Sequence, residues 1–162
     1  KGIVEKGYNA ELNIIGKGPE YFNLKDYIKK NKLCNYVNIY IDASDDFLIN
    51  QYKCSNLFIL ANLMLDNGDC EGAPNVLIEA ASFGLPTIAG EEGGTSDVVE
   101  HNKSGILLDP RNILNFTKEI ETFINDKTKA ETMGKVGHFK AFNSHRKKEA
   151  GETFSDIISK LI

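Results

Sequence analysis

Two glutamates eight residues apart, Glu71 and Glu79, flank a short loop of small residues and proline that opens into a helical pattern. Ionised carboxylates are strong acceptors for hydroxyl groups, and a loop that leads into a helix start is a common anion site. The stretch that carries them, CEGAPNVLIEA, therefore predicts a pocket that binds phosphate groups and sugar hydroxyls together.

The loop between the glutamates has the composition expected before a helix that binds an anion. Gly72 and Ala73 add little bulk, and Pro74 suits the first helical position because its missing N–H would be unpaired there. The amides of Asn75 and Val76 are then expected to be free donors. Because a helix start also carries about half a positive charge, these residues predict a diphosphate site.

Glu79 is expected to assist this site from inside the helix. It follows Asn75 by four residues and Val76 by three, and helical side chains lean toward the N-terminus, so its carboxylate is expected to point toward the anion. Since a carboxylate repels phosphate, Glu79 should bind hydroxyls of a ribose, and Glu71 those of a sugar beyond the phosphates. The alternative makes Glu71 a solvated loop acid and Glu79 an exposed helix residue.

The elements around this segment predict an α/β fold. Short apolar strand patterns alternate with amphipathic stretches, which indicates a Rossmann-like, doubly wound parallel sheet with helices on both faces. The predicted strands are LNII, VNIYI, LFIL, PTIA and GILL, and the predicted helices cover residues 21–33, 45–55, 74–83, 112–126 and 154–162. Gly84 is expected to end the Glu79 helix in a left-handed conformation.

Further candidate residues lie in loops that follow the strands, where parallel sheets bind ligands. Gly16 and Gly18 follow LNII and would let the backbone approach a nucleotide, although a plain turn explains them as well. Gly93 and Gly94, with Thr95 and Ser96, follow PTIA and would surround a sugar. The alternative for this second loop is a simple helix entry capped by Ser or Thr.

Composition fits one compact domain over residues 1–162, with 41% hydrophobic and 26% charged residues. The net charge of −4 argues against a nucleic-acid partner. No apolar run reaches the ~20 residues that span a bilayer, so a cytoplasmic setting is expected. The basic patch HRKKEAGE is interpreted as a solvated helix start or, alternatively, as a contact with a lipid surface or a companion domain.

No metal and no cofactor are predicted. Three cysteines give neither a disulfide framework nor a zinc pattern, and the histidines are scattered. An acidic loop suggests a cation site, but a solvated turn is the preferred interpretation. These residues are Cys34, Cys54 and Cys70, then His101, His138 and His145, and in the loop Asp66, Asn67 and Asp69.

The stretch EGAPNVLIEAASFGLPTIAG resembles the signature of retaining GT-B glycosyltransferases of family 4, which has two glutamates separated by seven residues. The preceding NGDCEG is similar to a variant found in exopolysaccharide and colanic-acid-type transferases. LNIIGKGPE and GGTSDVVEHNKSGILLDP resemble other parts of the same domain, so the resemblance covers nearly the whole chain.

The resemblance implies roles for these residues. Glu71 would contact the transferred sugar as the catalytic residue, Glu79 would bind the ribose, and the amides of residues 72–76 would bind the diphosphate and sugar. Residues 37–42 would contact the base, largely through their backbone, although a core strand explains them equally. Such enzymes generally hold the diphosphate without a metal.

One feature departs from the family pattern. These transferases also use an Arg and a Lys near the first strand of the donor domain, and Lys1 and Gly2 lie too close to LNII to supply them. The chain is therefore expected to lack that first strand and the N-terminal acceptor domain. Alone, it is expected to bind donor weakly at most and to transfer no sugar.

The implied activity is transfer of a sugar from a nucleotide diphosphate sugar, such as a UDP-sugar, to a glycan or lipid-linked acceptor in polysaccharide biosynthesis. The implied partners are the donor, the N-terminal acceptor domain and a peripheral membrane or lipid-linked acceptor, with no nucleic acid. The alternatives are a non-catalytic nucleotide-binding regulatory module, a GT-B-like sugar-nucleotide epimerase and, more distantly, a structural scaffold.

Overall fold

The computed structural model describes residues 1–64 and 74–144, and these residues form an α/β fold with parallel strands. The predicted fold class is confirmed. The strands are β1 (Leu12–Ile15), β2 (Val37–Tyr40), β3 (Phe58–Leu60), β4 (Thr87–Gly90) and β5 (Gly105–Leu108). The helices are α1 (Gly2–Glu5), α2 (Tyr21–Lys30), α3 (Asp45–Cys54), α4 (Asn75–Ser82), α5 (Thr95–Val98), α6 (Ile113–Asn125) and α7 (Lys127–Ser144).

The chain divides into two compact units, residues 1–54 and the residues from Ser55 onward. Each unit has its own parallel sheet among the described residues. The first sheet has the order β1-β2, and the second has the order β3-β4-β5.

The N-terminal unit pairs β1 with β2 in parallel, with Asn13 opposite Asn38. The Asn38 side-chain amide donates to Asn13 Oδ1 at 3.0 Å, and the Asn13 amide donates to Gln51 Oε1 of α3 at 3.0 Å. This chain of amides links both strands to α3 and satisfies polar groups that are half-buried.

Helix α2 begins at Tyr21 as predicted but ends at Lys30, three residues before Leu33. Lys32 has a φ of +57°, and the Leu33 amide donates to the Ile28 carbonyl at 2.9 Å, which is the hydrogen bond of a Schellman ending. The side chain of Leu33 is buried, whereas Phe22 is 75% exposed. The apolar spacing therefore predicted where this helix begins, but neither where it ends nor which of its residues are buried.

The C-terminal unit is built around β4, whose four residues are all buried between β3 and β5. Successive side chains of a strand face opposite sides of the sheet, and β4 shows this directly. Ala89 packs in one cluster with Leu77 of α4 and Val98 of α5. Ile88 packs in another, with Phe123 of α6 and Met133 of α7 among its members. Helices thus cover both faces of this sheet.

Helix α7 was not predicted from the sequence. Its buried side includes Gly134 and Gly137 as well as Met133 and Ala141, so much of it carries almost no apolar side chain. A Cβ at Gly134 would lie 2.0 Å from the carbonyl oxygen of Gly84. Close backbone packing therefore replaces the hydrophobic stripe by which amphipathic helices are detected.

Candidate functional site

The candidate site lies at the carboxyl edge of the three-stranded sheet, where parallel strands place their exit loops side by side. β3 leads into the loop that contains Asn62, β4 leads into the loop that contains Glu92, and β5 leads to Asp109 and Arg111. Described side chains from all three loops contact one another, as the following paragraphs show.

Helix α4 begins at Asn75, one residue later than predicted. Pro74 is buried and extended, with φ −67° and ψ 121°, so it precedes the helix instead of forming its first residue. The Leu77 amide donates to the Pro74 carbonyl at 3.0 Å. Helix geometry leaves the amides of Asn75 and Val76 without an acceptor inside α4, and the N-cap residue Pro74 provides no side-chain cap.

Glu79 is half-buried in α4, one turn after Asn75. Its neighbours Leu77 and Ala80 are fully buried, so Glu79 lies at the border between the core side of the helix and the solvent. Glu71, Gly72 and Ala73 lie outside the described residues. The roles predicted for these four residues therefore stay predictions.

The loop after β4 enters α5 through two glycines. Gly93 has a φ of +73°, where a side chain would be strained, and Gly94 directly precedes the helix without a side-chain cap. Thr95 is fully buried, and its hydroxyl donates to the Glu92 carbonyl at 3.0 Å. Thr95 is therefore unavailable to a sugar, and the cap expected from Ser or Thr is absent at this described helix start.

Asn62 links two exit loops. Its amide group donates to the Glu92 carbonyl at 2.9 Å and to the Thr95 hydroxyl at 2.9 Å. Its side-chain oxygen accepts from the Gly90 amide at 3.1 Å. A Cβ at Gly90 would lie 2.0 Å from the Asn62 carbonyl oxygen, so only glycine fits against this loop.

Glu92 and Arg111 form an ion pair that the sequence analysis did not anticipate. Arg111 Nη1 lies 2.8 Å from Glu92 Oε1 and 3.3 Å from Asp109 Oδ1. The Met64 amide donates to Glu92 Oε2, and Arg111 Nη2 donates to the Met64 carbonyl at 3.4 Å. The hydrogen bond from Met64, followed by that from Arg111, lowers the pKa of the Glu92 carboxyl. Nothing in local spacing links residues 64, 92 and 111.

The candidate residues of the N-terminal unit lie in an open turn. Gly16 has a φ of +145°, and its amide donates to the Tyr40 carbonyl at 2.9 Å. No heavy atom lies within 4 Å of a Cβ built at Gly16 or Gly18. Residues 37–40 form the half-buried strand β2, and Asp42 after it is exposed. The nucleotide contacts predicted for this unit stay predictions.

The remaining histidines and cysteines of the described chain have ordinary structural surroundings. His101 Nδ1 accepts from the Leu107 amide at 3.0 Å, and His138 Nδ1 donates to the Ser82 carbonyl at 2.8 Å. Cys34 and Cys54 are exposed thiols. The predicted acidic loop, the basic patch and the last predicted helix lie outside the described residues, together with Cys70 and His145.

Residues 1–64 and 74–144 contain no group of three His, Cys, Asp or Glu side chains placed to hold a metal ion. Over the same residues, every helix is too short or too polar to cross a bilayer.

A family model described as "Glycosyl transferases group 1" matches residues 1–138. The chain is 29% identical over 129 residues to the GDP-mannose-dependent alpha-(1-6)-phosphatidylinositol monomannoside mannosyltransferase of Mycobacterium tuberculosis, covering 79% of this chain and 34% of that protein. It is 30% identical over 145 residues to the capsular polysaccharide biosynthesis glycosyltransferase CapM of Staphylococcus aureus, covering 88% of this chain and 36% of that protein. The chain thus spans about a third of the length of these curated relatives.

Among solved structures, HepE of Anabaena in complex with UDP matches with a TM-score of 0.75 and 20% identity, over 98% of this chain and 43% of that chain. This likeness supports the fold, and the family model covers most of the sequence. The chain belongs to the glycosyl transferases group 1 family.

Proposed function

We propose that the chain is the donor-binding domain of a retaining, family 4 glycosyltransferase of the exopolysaccharide type. It would bind a nucleotide diphosphate sugar and present the sugar to a glycan or lipid-linked acceptor held by an N-terminal domain. Family membership supports sugar transfer, and the segment from Glu71 to Pro86 supports the finer assignment.

The start of α4 is the observation that carries this proposal. An extended proline precedes the helix, the amides of Asn75 and Val76 have no acceptor within it, and its first turn contains no acidic side chain. A diphosphate placed there would accept hydrogen bonds from these amides and interact favourably with the helix dipole. The chain would therefore stabilise the charge that develops on the leaving diphosphate.

Glu79 would orient the nucleotide, and Glu71 would orient the sugar. Glu79 is half-buried one turn after the proposed phosphate contacts, where its carboxylate can accept hydrogen bonds from ribose hydroxyls. Glu71 would accept from hydroxyls of the transferred sugar. Catalysis would then depend on position and electrostatics, without a metal or cofactor.

The identity of the donor and acceptor is a separate part of the proposal. The name of the mycobacterial relative includes GDP-mannose and a phosphatidylinositol mannoside, and the HepE structure contains UDP. We propose a UDP- or GDP-linked sugar as donor, an acceptor in polysaccharide or lipid-linked saccharide synthesis, and a cytoplasmic setting.

Calorimetric titration of the chain with UDP, GDP and their sugars tests this function. Glu79→Gln keeps the size of the side chain but removes its charge, so we expect donor affinity to fall about tenfold, as for loss of a charge-assisted hydrogen bond. Glu131→Gln makes the same change at an exposed position of α7 and should leave affinity unchanged.

The same titrations separate the alternatives. Equal affinity for nucleotide and nucleotide sugar, unaffected by Glu71→Gln, would favour a nucleotide-binding regulatory module. Epimerised donor in the mixture would favour an epimerase. If wild-type protein binds none of these ligands, or if Glu79→Gln binds as tightly as wild type, the proposed donor site is wrong.

A further inference from the structure

The side chain of Asn62 is bonded to three points of the β4–α5 turn, residues 90–95. Its Oδ1 atom accepts from the Gly90 amide at 3.1 Å, where β4 ends. Its Nδ2 atom donates to the Glu92 carbonyl and to the Thr95 hydroxyl, both at 2.9 Å. One side chain therefore holds this turn at its first residue, near its middle and at its last residue.

The Thr95 hydroxyl completes this arrangement. It donates to the Glu92 carbonyl at 3.0 Å and accepts from Asn62, so the three groups form a closed ring of hydrogen bonds. Thr95 is fully buried and Asn62 is half-buried. Because water competes less for hydrogen bonds away from the surface, these bonds should fix the turn more firmly than exposed ones would.

An amide side chain is suited to position 62 because it combines one acceptor atom with two donor hydrogens. The Gly90 N–H can only donate and the Glu92 carbonyl can only accept, so both properties are needed at once. Aspartate would keep the acceptor but lose both donors, and a hydroxyl side chain would have a single donor hydrogen. Alanine would lose all three bonds.

The same turn presents glycine backbone at the surface. Gly93 is exposed and Gly94 is half-buried, whereas Gly90 and Thr95 are buried. Gly93 also has a φ of +73°, where a side chain would be strained. Since neither Gly93 nor Gly94 has a side chain, this part of the turn can offer a ligand only its peptide groups. These are the two glycines that the sequence predicts to surround a sugar.

We infer that Asn62 and Thr95 are positioning residues for the sugar end of the donor site: they fix the backbone at Gly93 and Gly94 and thereby increase affinity for the sugar part of the donor. This inference rests on the proposed function for its effect on affinity. A backbone that is fixed before binding loses less conformational entropy when the ligand binds. The nucleotide part, which we assign to α4, should not depend on Asn62 or Thr95.

The first measurement is amide hydrogen exchange at Gly90 in the protein without ligand. We expect exchange to be about tenfold faster in Asn62→Ala, because the Gly90 N–H loses its Oδ1 acceptor. Asn143→Ala removes a bond from an asparagine amide to a carbonyl at an exposed position of α7, and it should leave Gly90 unchanged. Unchanged exchange at Gly90 in Asn62→Ala would overturn the inference.

A second comparison separates the acceptor of Asn62 from its donors. Asn62→Asp keeps the acceptor, so Gly90 should stay protected, while the NMR couplings that report the φ of Gly93 should change because both donors are lost. Thr95→Val removes the hydroxyl and should change the same couplings, whereas Thr95→Ser keeps the hydroxyl and should retain them. Wild-type couplings in both Asn62→Asp and Thr95→Val would refute the hold on Gly93.

The third measurement is calorimetric binding of UDP and UDP-glucose, and of GDP and GDP-mannose. For the pair that wild type binds, the ratio of nucleotide-sugar affinity to nucleotide affinity should fall about three- to tenfold in Asn62→Ala and in Thr95→Val. Thr95→Ser and Asn143→Ala should keep the wild-type ratio. A residue that is needed only for folding would affect both ligands alike and would leave this ratio unchanged.

The outcomes separate this inference from the proposed function. If wild type binds these ligands but the ratio is unchanged in Asn62→Ala and Thr95→Val, the inference is overturned while the proposed function stands. If wild type binds none of them, the proposed function fails and the effect on sugar affinity fails with it. The exchange at Gly90 then still decides whether Asn62 holds the turn.

Discussion

Gly134 illustrates how a single residue can determine the approach of two helices. Its Cα faces the turn that ends α4, and a Cβ there would lie 2.0 Å from the Gly84 carbonyl oxygen and 3.0 Å from the Gly84 carbonyl carbon. Three residues later, a Cβ at Gly137 would make ordinary contacts, the nearest at 3.6 Å. Close packing against backbone therefore requires glycine at position 134 of α7, whereas position 137 has room for a Cβ.

We expect Gly134→Ala to destabilise the protein by about 1–3 kcal/mol, since α7 would have to move away from α4. Gly137→Ala should be neutral or stabilising by up to about 1 kcal/mol, because alanine favours the helix and fits the space. Urea unfolding of the two variants measures both effects. Equal stability of the two variants would contradict the close packing seen at Gly134.

A second prediction at the residue scale concerns Glu92 and the dependence of stability on pH. Its folded pKa is lowered by the Met64 amide and then by Arg111, with Asp109 acting weakly in the opposite direction. The stabilisation from ionised Glu92 is therefore complete above its ordinary pKa of about 4.3 and is lost as the pH falls through the lower folded pKa.

Carboxyl NMR titration measures this pKa directly. In Arg111→Gln we expect Glu92 to titrate at higher pH than in wild type, but still below its ordinary value because the larger contribution from Met64 remains. If Arg111→Gln leaves the titration of Glu92 unchanged, the ion pair does not form in solution.

At the scale of elements, α4 is defined by its two ends. Pro74 precedes it without a capping side chain, and Gly84 follows it with a φ of +72°. The Leu85 amide donates to the Ala80 carbonyl at 3.1 Å and the Gly84 amide to the Ala81 carbonyl at 2.9 Å, which together form a Schellman motif. These bonds determine where α4 ends before β4 begins.

We expect Gly84→Ala to destabilise the protein by about 1 kcal/mol, because alanine is strained in the left-handed conformation. Nothing lies within 4 Å of a Cβ at this position, so the cost comes from the backbone alone. Gly84→Asn should cost less, since asparagine tolerates this conformation better. Thermal unfolding distinguishes the two variants; an alanine variant as stable as wild type would exclude strain at Gly84.

The sequence predicted those elements whose pattern is local. All five strands, the helices α2, α3, α4 and α6, and the left-handed Gly84 follow from apolar spacing and turn residues. Helix α7 could not be predicted in this way, because glycines form much of its buried side. Helix α4 begins one residue later than predicted because Pro74 is extended.

The contacts of the candidate site were less accessible to sequence analysis. Asn62, Glu92 and Arg111 are joined only by the parallel arrangement of β3, β4 and β5, and the separations of 30 residues between Asn62 and Glu92 and 19 between Glu92 and Arg111 give no local signal. The predicted roles of Glu79, Asn75 and Val76 rest on a local motif and stay predictions.

At the scale of the whole molecule, the chain covers about a third of its curated relatives. Our proposal places the acceptor site in a separate domain, so we expect the 162-residue chain to bind donor but to transfer no sugar. Incubation with UDP- and GDP-sugars and saccharide acceptors, followed by mass spectrometry, tests this. Ordinary transferase turnover by these residues alone would refute the division of roles.

The central claim is that a diphosphate binds to the backbone amides at the start of α4. The most direct measurement is an NMR titration of the ¹⁵N-labelled chain with UDP and GDP. We predict that the amide resonances of Asn75 and Val76 shift saturably, and that Glu79→Gln requires more ligand for the same shift. Saturable binding that leaves both amides unshifted would contradict the account.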